Sequence, residues 1–191
     1  MTSAAKVETL PPAVCEIALI GRSNVGKSSL VNALANQKQL AKVSKTPGRT
    51  QLINQFALPD GTTVVDLPGY GYANAPKQAR ATWGRMTERY LLERDGLELI
   101  LVLVDGEVGP TKLDIAMFEW LRDHDLRFAV IATKHDKVKS SQRQSQANAD
   151  RKLLTNTLIN NAERYSRSIS QLNWLAAQAE SNRSKKFRTL C

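Results

Sequence analysis

The stretch GRSNVGKSS, residues 21–29, directly follows the apolar run CEIALI. It has the spacing G-x-x-x-x-G-K-[ST], as Gly21, Gly26, Lys27 and Ser28. Glycines allow successive backbone N–H groups to turn inward together, forming a concavity for phosphate oxygens. A lysine adds a point charge for the β- and γ-phosphates of a nucleoside triphosphate, and the adjacent hydroxyl can hold Mg²⁺. A glycine turn that only packs strand on helix has no use for a lysine at that place.

Two further stretches extend the chemistry. DLPG, Asp66–Gly69, closes another apolar segment. A carboxylate there can hold Mg²⁺ through a water, and the Gly69 N–H can sense a γ-phosphate. TKHD, Thr133–Asp136, follows RFAVIA. The Asp136 carboxylate can accept both the N1–H and the 2-amino group of guanine, whereas adenine would leave it unpaired. The stem of Lys134 can cover the base, and His135 is a spacer facing solvent. Thr133 stands where Asn is commoner, and its hydroxyl can still tie the loop together. Between these motifs, SKTPGRTQLIN offers Thr46 and Thr50 as a hydroxyl that reaches the metal. Thr50 is preferred because it lies closer to the following strand. Lys27, Thr50 and Gly69 are thus the candidate catalytic groups, and Ser28 and Thr50 the direct metal ligands.

The order of the three motifs favours GTP over ATP. A P-loop ATPase or kinase would share only the first. Tyr70 follows DLPG at the place where Ras-like switches use Gln to orient the attacking water. Slow hydrolysis is therefore expected, and a GTP-binding module without significant turnover stays open as the alternative.

These loops need strands to precede them and helices to follow. CEIALI, LELILVLVD and RFAVIAT read as buried parallel strands, and LINQFAL-x-DG-TTVVDL as a hairpin. KSSLVNALANQ, QARATWGRMTERYLLER and TKLDIAMFEWLRDH have helical spacing. The alternation predicts an α/β fold: a mostly parallel central sheet with helices on both faces and the motifs at the carboxyl ends of the strands. Residues 1–14 read as a flexible lead-in, 15–137 as the core of the domain, and 138–191 as an atypical C-terminal part.

Composition is that of a globular chain, with 42% hydrophobic and 24% charged residues among 191. No apolar run approaches the ~18 residues of a membrane span, and no signal peptide is apparent. The two cysteines, Cys15 and Cys191, fit a reducing compartment better than a disulfide framework. A cytoplasmic monomer without membrane contact is expected. Ten Lys and Arg against three Asp and Glu after residue 137 carry +7 of the net +9 charge. A basic tail can bind nucleic acid, but it is also what a solvated segment looks like.

GRSNVGKSSLVNAL, SKTPGRTQLINQF, DLPGYGYA and TKHDK together resemble the EngB family of bacterial GTPases, over roughly residues 10–140. The resemblance implies a Ras-like P-loop GTPase fold, binding of GTP or GDP with Mg²⁺, a role in assembly of the large ribosomal subunit, and a link to normal septation. It implies that Gly21, Arg22, Ser23, Asn24, Val25, Gly26, Lys27 and Ser28 wrap the phosphates. Gly48, Arg49, Thr50, Gln51 and Leu52 would form the effector loop. Asp66, Leu67, Pro68 and Gly69 would sense the γ-phosphate, and Thr133, Lys134, His135 and Asp136 would hold guanine. The resemblance also implies that Asn24 stands where several related GTPases use Asn to help hold a potassium ion, which would neutralise charge developing between the β- and γ-phosphates; the alternative is that Asn24 only braces the loop through side-chain-to-backbone hydrogen bonds.

The family's last strand, with its base-contacting serines, and its last helix have no clear counterpart after Val138; YSRSIS is the nearest candidate in frame. Read one codon phase over, NWLAAQAESNRSKKF is compatible with LASSSSGKQSIKKI, which has the missing pattern. The expectation is a frameshift from about residue 143–150 onward, which would leave the basic tail silent about RNA and could make this copy inactive.

Overall fold

The computed structural model describes residues 1–35, 40–41, 52–58, 61–71 and 77–158. Three buried strands form its centre. β2 (Glu16–Gly21) is buried at every position, as a strand covered on both faces must be. It lies parallel to β5 (Leu97–Asp105), which lies parallel to β6 (Phe128–Thr133). On its other side β2 pairs in parallel with β4 (Thr63–Asp66), the second arm of a hairpin whose first arm is β3 (Ile53–Ala57). Gly61, at φ 89°, supplies the left-handed residue of that turn. With β1 (Thr2–Ala4) at one edge, the strand order is β1-β3-β4-β2-β5-β6.

β1 (Thr2–Ala4) is antiparallel to β3 and lies at the sheet edge. This differs from the expected flexible lead-in over 1–14. The physical reason is legible afterwards: Ala4, Val7 and Leu10 are spaced to bury their side chains, and all three join the core. A three-residue strand between short polar stretches gives too little alternation to stand out.

The period of two in β5 divides the core. Ile100, Val102 and Val104 face one layer with Phe118 and Leu121 of α3 (Lys112–Asp123) and Tyr90 and Leu91 of α2 (Lys77–Glu93). Leu99, Leu101 and Leu103 face the other with Val31 of α1 (Lys27–Leu34). Helices thus cover both faces, as the alternation predicts. α4 (Ser140–Leu158) packs against α3. Over residues 140–149 only Gln146 and Ala147 are even half-buried. A run of Ser, Gln and Asn has no apolar stripe to offer the sheet. The residues expected to hold a final strand, YSRSIS included, lie outside the described residues.

Candidate functional site

Each parallel strand ends on a glycine or a polar residue. Gly21 ends β2, Asp66 β4, Asp105 β5 and Thr133 β6. The register aligns them, pairing Leu19 with Asp66, Gly21 with Leu103 and Asp105 with Thr133. One rim of the sheet therefore carries these four residues, the usual place for a ligand in an α/β sheet.

The phosphate loop leaves β2 at Gly21. A Cβ there would lie 2.6 Å from the Leu103 carbonyl oxygen, so no side chain fits. Further on the constraint is conformational. Asn24 has φ 61° and Gly26 φ 106°, two left-handed residues that roll the backbone into a concave nest before α1 begins. Asn24 is exposed, Arg22, Ser23 and Ser28 are half-buried, and Val25 and Lys27 are buried. Ser28 stands in the first turn of α1, where the N–H groups and dipole favour an anion.

Lys27 is the unusual group. It is 8% exposed, and its ammonium donates to the Gly21 carbonyl at 3.2 Å, curling back over the loop. Burial pushes its pKa down, and the charge of Asp66 works against that shift. Asp66 is 3% exposed, and burial lifts its carboxyl to about 6, with Lys27 pulling it back. Among the described residues, Asp66 Oδ1 is the one buried side-chain nitrogen or oxygen with no hydrogen-bond partner. A buried carboxylate oxygen without a donor fits a cation or the water of a hydrated cation. Mg²⁺ therefore suits the residues present.

Thr133 joins two loops. Its hydroxyl lies 2.5 Å from the Val25 carbonyl in the phosphate loop and 2.9 Å from the Val104 carbonyl on β5. It has one proton to donate, so it serves one acceptor at a time. The expected tie by a hydroxyl in place of Asn is thus present, and its partner is the phosphate loop itself. Lys134, at φ 56°, turns its ammonium onto Asp105 Oδ2 at 2.6 Å. Burial alone would raise Asp105, but the hydrogen bond from Lys134, the Glu107 N–H and the lysine charge hold its carboxyl below the usual range. Asp136 is exposed in the short helical turn His135–Lys137, and its carbonyl accepts from Arg143 at 3.1 Å. Of the effector loop, Gly48, Arg49, Thr50 and Gln51 lie outside the described residues, as does Thr46. Leu52 is exposed immediately before β3.

Leu67, Pro68 and Gly69 are buried, and the Leu67 N–H bonds the Leu19 carbonyl at 3.1 Å. Sequence reasoning missed two groups here. Asp105 partners Lys134, and Asp114 accepts from Tyr70. The signal for Asp105 was a charge ending an apolar strand; for Asp114 it was a T-x-x-D capping pattern opening α3.

A concave nest of backbone, a buried lysine, a buried carboxylate oxygen without a hydrogen-bond partner and the Thr133 hydroxyl bonded to the nest define a P-loop protein with the Ras-like fold. Residues 16–134 match the family described as 50S ribosome-binding GTPase. The chain is 48% identical over 158 residues to the probable GTP-binding protein EngB of Pelotomaculum thermopropionicum, covering 82% of this chain and 80% of that protein. It is 52% identical over 127 residues to that of Clostridium perfringens strain SM101, covering 66% of this chain and 64% of that protein. The crystal structure of a probable GTP-binding protein engB superposes with a TM-score of 0.60 at 23% identity, over 83% of this chain and 98% of that one, a likeness of fold. The chain belongs to the 50S ribosome-binding GTPase family and, within it, to the EngB GTP-binding proteins. Among the described residues, no helix is long and apolar enough to cross a membrane.

Proposed function

We propose that this chain is a magnesium-dependent guanine-nucleotide switch with slow GTP hydrolysis, acting in the cytoplasm in assembly of the large ribosomal subunit. One observation carries the nucleotide reading: the Thr133 hydroxyl on the Val25 carbonyl makes the base-side and phosphate loops a single site. Residues Gly21–Ser28 wrap the phosphates, with Lys27 placing its charge at the β- and γ-oxygens. Ser28 and Thr50 would hold Mg²⁺ directly and Asp66 through a water. The bound ion would neutralise charge on the phosphate oxygens. Gly69 presents its N–H to the γ-phosphate, and Asp136 reads guanine. The ribosomal partner is supported by the description of the matched family; the septation role rests on the resemblance of the motifs to EngB proteins.

Slow turnover follows from Tyr70, which has no amide to orient water and whose hydroxyl is bonded to Asp114 at 2.7 Å. A potassium ion beside Asn24 would supply part of the missing charge stabilisation. We also read the chain from about residue 143–150 onward as out of frame, a reading supported by the codon-phase match of NWLAAQAESNRSKKF to the missing pattern. Resequencing the gene, with peptide masses over that stretch, decides it.

The decisive test of the base site is Asp136→Asn. An amide can donate where the carboxylate only accepts, so GTP weakens by about a hundredfold and xanthosine triphosphate is favoured in its place. Unchanged GTP affinity would remove Asp136 from the site.

A further inference from the structure

Tyr70 is held twice. Its main chain makes a parallel bridge to Arg22 of the phosphate loop. Its hydroxyl donates to Asp114 Oδ1 at 2.7 Å. Asp114 is 1% exposed, and its other oxygen accepts from the Thr111 N–H at 2.7 Å and the Thr111 hydroxyl at 2.6 Å. One carboxylate thus caps α3 with one oxygen and grips Tyr70 with the other.

The register shows what lies between these anchors. Leu19 pairs with Asp66, and Arg22 with Tyr70. The second segment is one residue longer than the first, so the backbone bulges over Leu67–Gly69. The bulge is buried and fixed at its start by the Leu67 N–H on Leu19. Its far end is fixed by Tyr70. Gly69 therefore has a set position beside the phosphate loop only while both ends hold.

We propose that the Tyr70–Asp114 hydrogen bond is a positioning device: it holds the Gly69 main chain beside the phosphate loop and so ties the preference for a γ-phosphate to the first turn of α3. The inference rests on the guanine-nucleotide reading above and names a residue for it. A donor already in place spends less binding energy on ordering than one that must be brought there. GDP has no γ-phosphate and does not draw on that donor. The bond consequently acts on the difference between the two nucleotides and not on their common part.

The test is the affinity of the full chain, with Mg²⁺, for GDP and for a non-hydrolysable GTP analogue, in the parent, Tyr70→Phe and Thr111→Val. Tyr70→Phe removes only the hydroxyl; it weakens the analogue about tenfold, the scale of one hydrogen bond to a charged group, and leaves GDP within about twofold. Thr111→Val removes one capping bond but keeps the grip on Tyr70; it lowers the unfolding midpoint and leaves the ratio of the two affinities unchanged. Partial unfolding scales both apparent affinities by one factor, so the ratio stays readable in any variant. A ratio unmoved by Tyr70→Phe, or moved toward the analogue, overturns the proposal. Failure of the parent to bind either nucleotide would instead overturn the guanine-nucleotide reading.

Discussion

Buried charge lies at the start of β2 and again beyond its end, and the two places treat that charge in opposite ways. At the start, Glu16 is fully buried, and every available direction is filled. Arg94 reaches it with Nε at 3.0 Å and Nη2 at 2.6 Å, Gln55 donates at 2.8 Å, and the Tyr90 hydroxyl at 2.5 Å. Arg94 and Gln55 also donate to the Pro11 carbonyl, drawing in the N-terminal segment. Beyond the other end, and among the described residues, Lys27 donates to one carbonyl at 3.2 Å, and Asp66 keeps an oxygen with no hydrogen-bond partner. A closed cluster of this kind can only hold elements together. A buried charge with spare capacity is costly for the protein alone and becomes favourable when a ligand of opposite sign completes it. The difference separates a cluster whose hydrogen bonds are made within the protein from a pair of groups that keeps spare capacity.

The largest effect expected from breaking the closed end is on stability. Arg94→Ala leaves Glu16 buried without its cation and lowers the unfolding free energy by about 3–5 kcal/mol. Urea unfolding measures it, while nucleotide affinity of the folded protein stays near the parent value. At the open end the effect falls on the ligand. Lys27→Met keeps the apolar stem and removes the charge; GTP affinity drops about a hundredfold, roughly 2.7 kcal/mol, while stability moves by less than about 1 kcal/mol. Equilibrium titration with labelled GTP distinguishes the two outcomes.

Smaller changes sharpen the boundary between the ends. Thr133→Ala cuts the bond between the base-side loop and the phosphate loop and weakens GTP and GDP alike, by about 1–2 kcal/mol of binding. A matched titration of both nucleotides reads it. The Lys134–Asp105 pair, 28% and 17% exposed, gives the smallest effect. Asp105 has its folded-state pKa depressed, so its contribution is present above its unfolded value. It is lost as the pH falls through the lower folded value, below about pH 4. The expected loss is no more than about 1 kcal/mol, seen as a shallower acid limb in Asp105→Asn.

The open end was legible because its chemistry is local. A loop that must turn needs glycine, a phosphate needs lysine, and both fall within eight residues. Thr133 was readable for the same reason, since its loop directly follows an apolar strand. The closed end was not. Glu16 interrupts CEIALI as a lone charge in a buried run, which announces a partner but not which one; Arg94 is 78 residues away. Pairings at that separation are set by the sheet and by α2, not by any pattern around either residue. The N-terminal edge strand was missed on similar grounds, because three residues against β3 carry too little periodicity. Asp114 shows the intermediate case: its cap with Thr111 is local, but its bond to Tyr70 spans 44 residues.

The measurement that tests this division most directly is thermal or urea unfolding of the parent, Arg94→Ala and Lys27→Met, each with and without saturating Mg²⁺ and GTP. A ligand at about a hundred times its dissociation constant stabilises by about 2.7 kcal/mol. Parent and Arg94→Ala gain that amount from different starting stabilities, and Lys27→Met starts near the parent and gains almost nothing. Full nucleotide stabilisation of Lys27→Met, or its loss in Arg94→Ala, would contradict the assignment of the two ends.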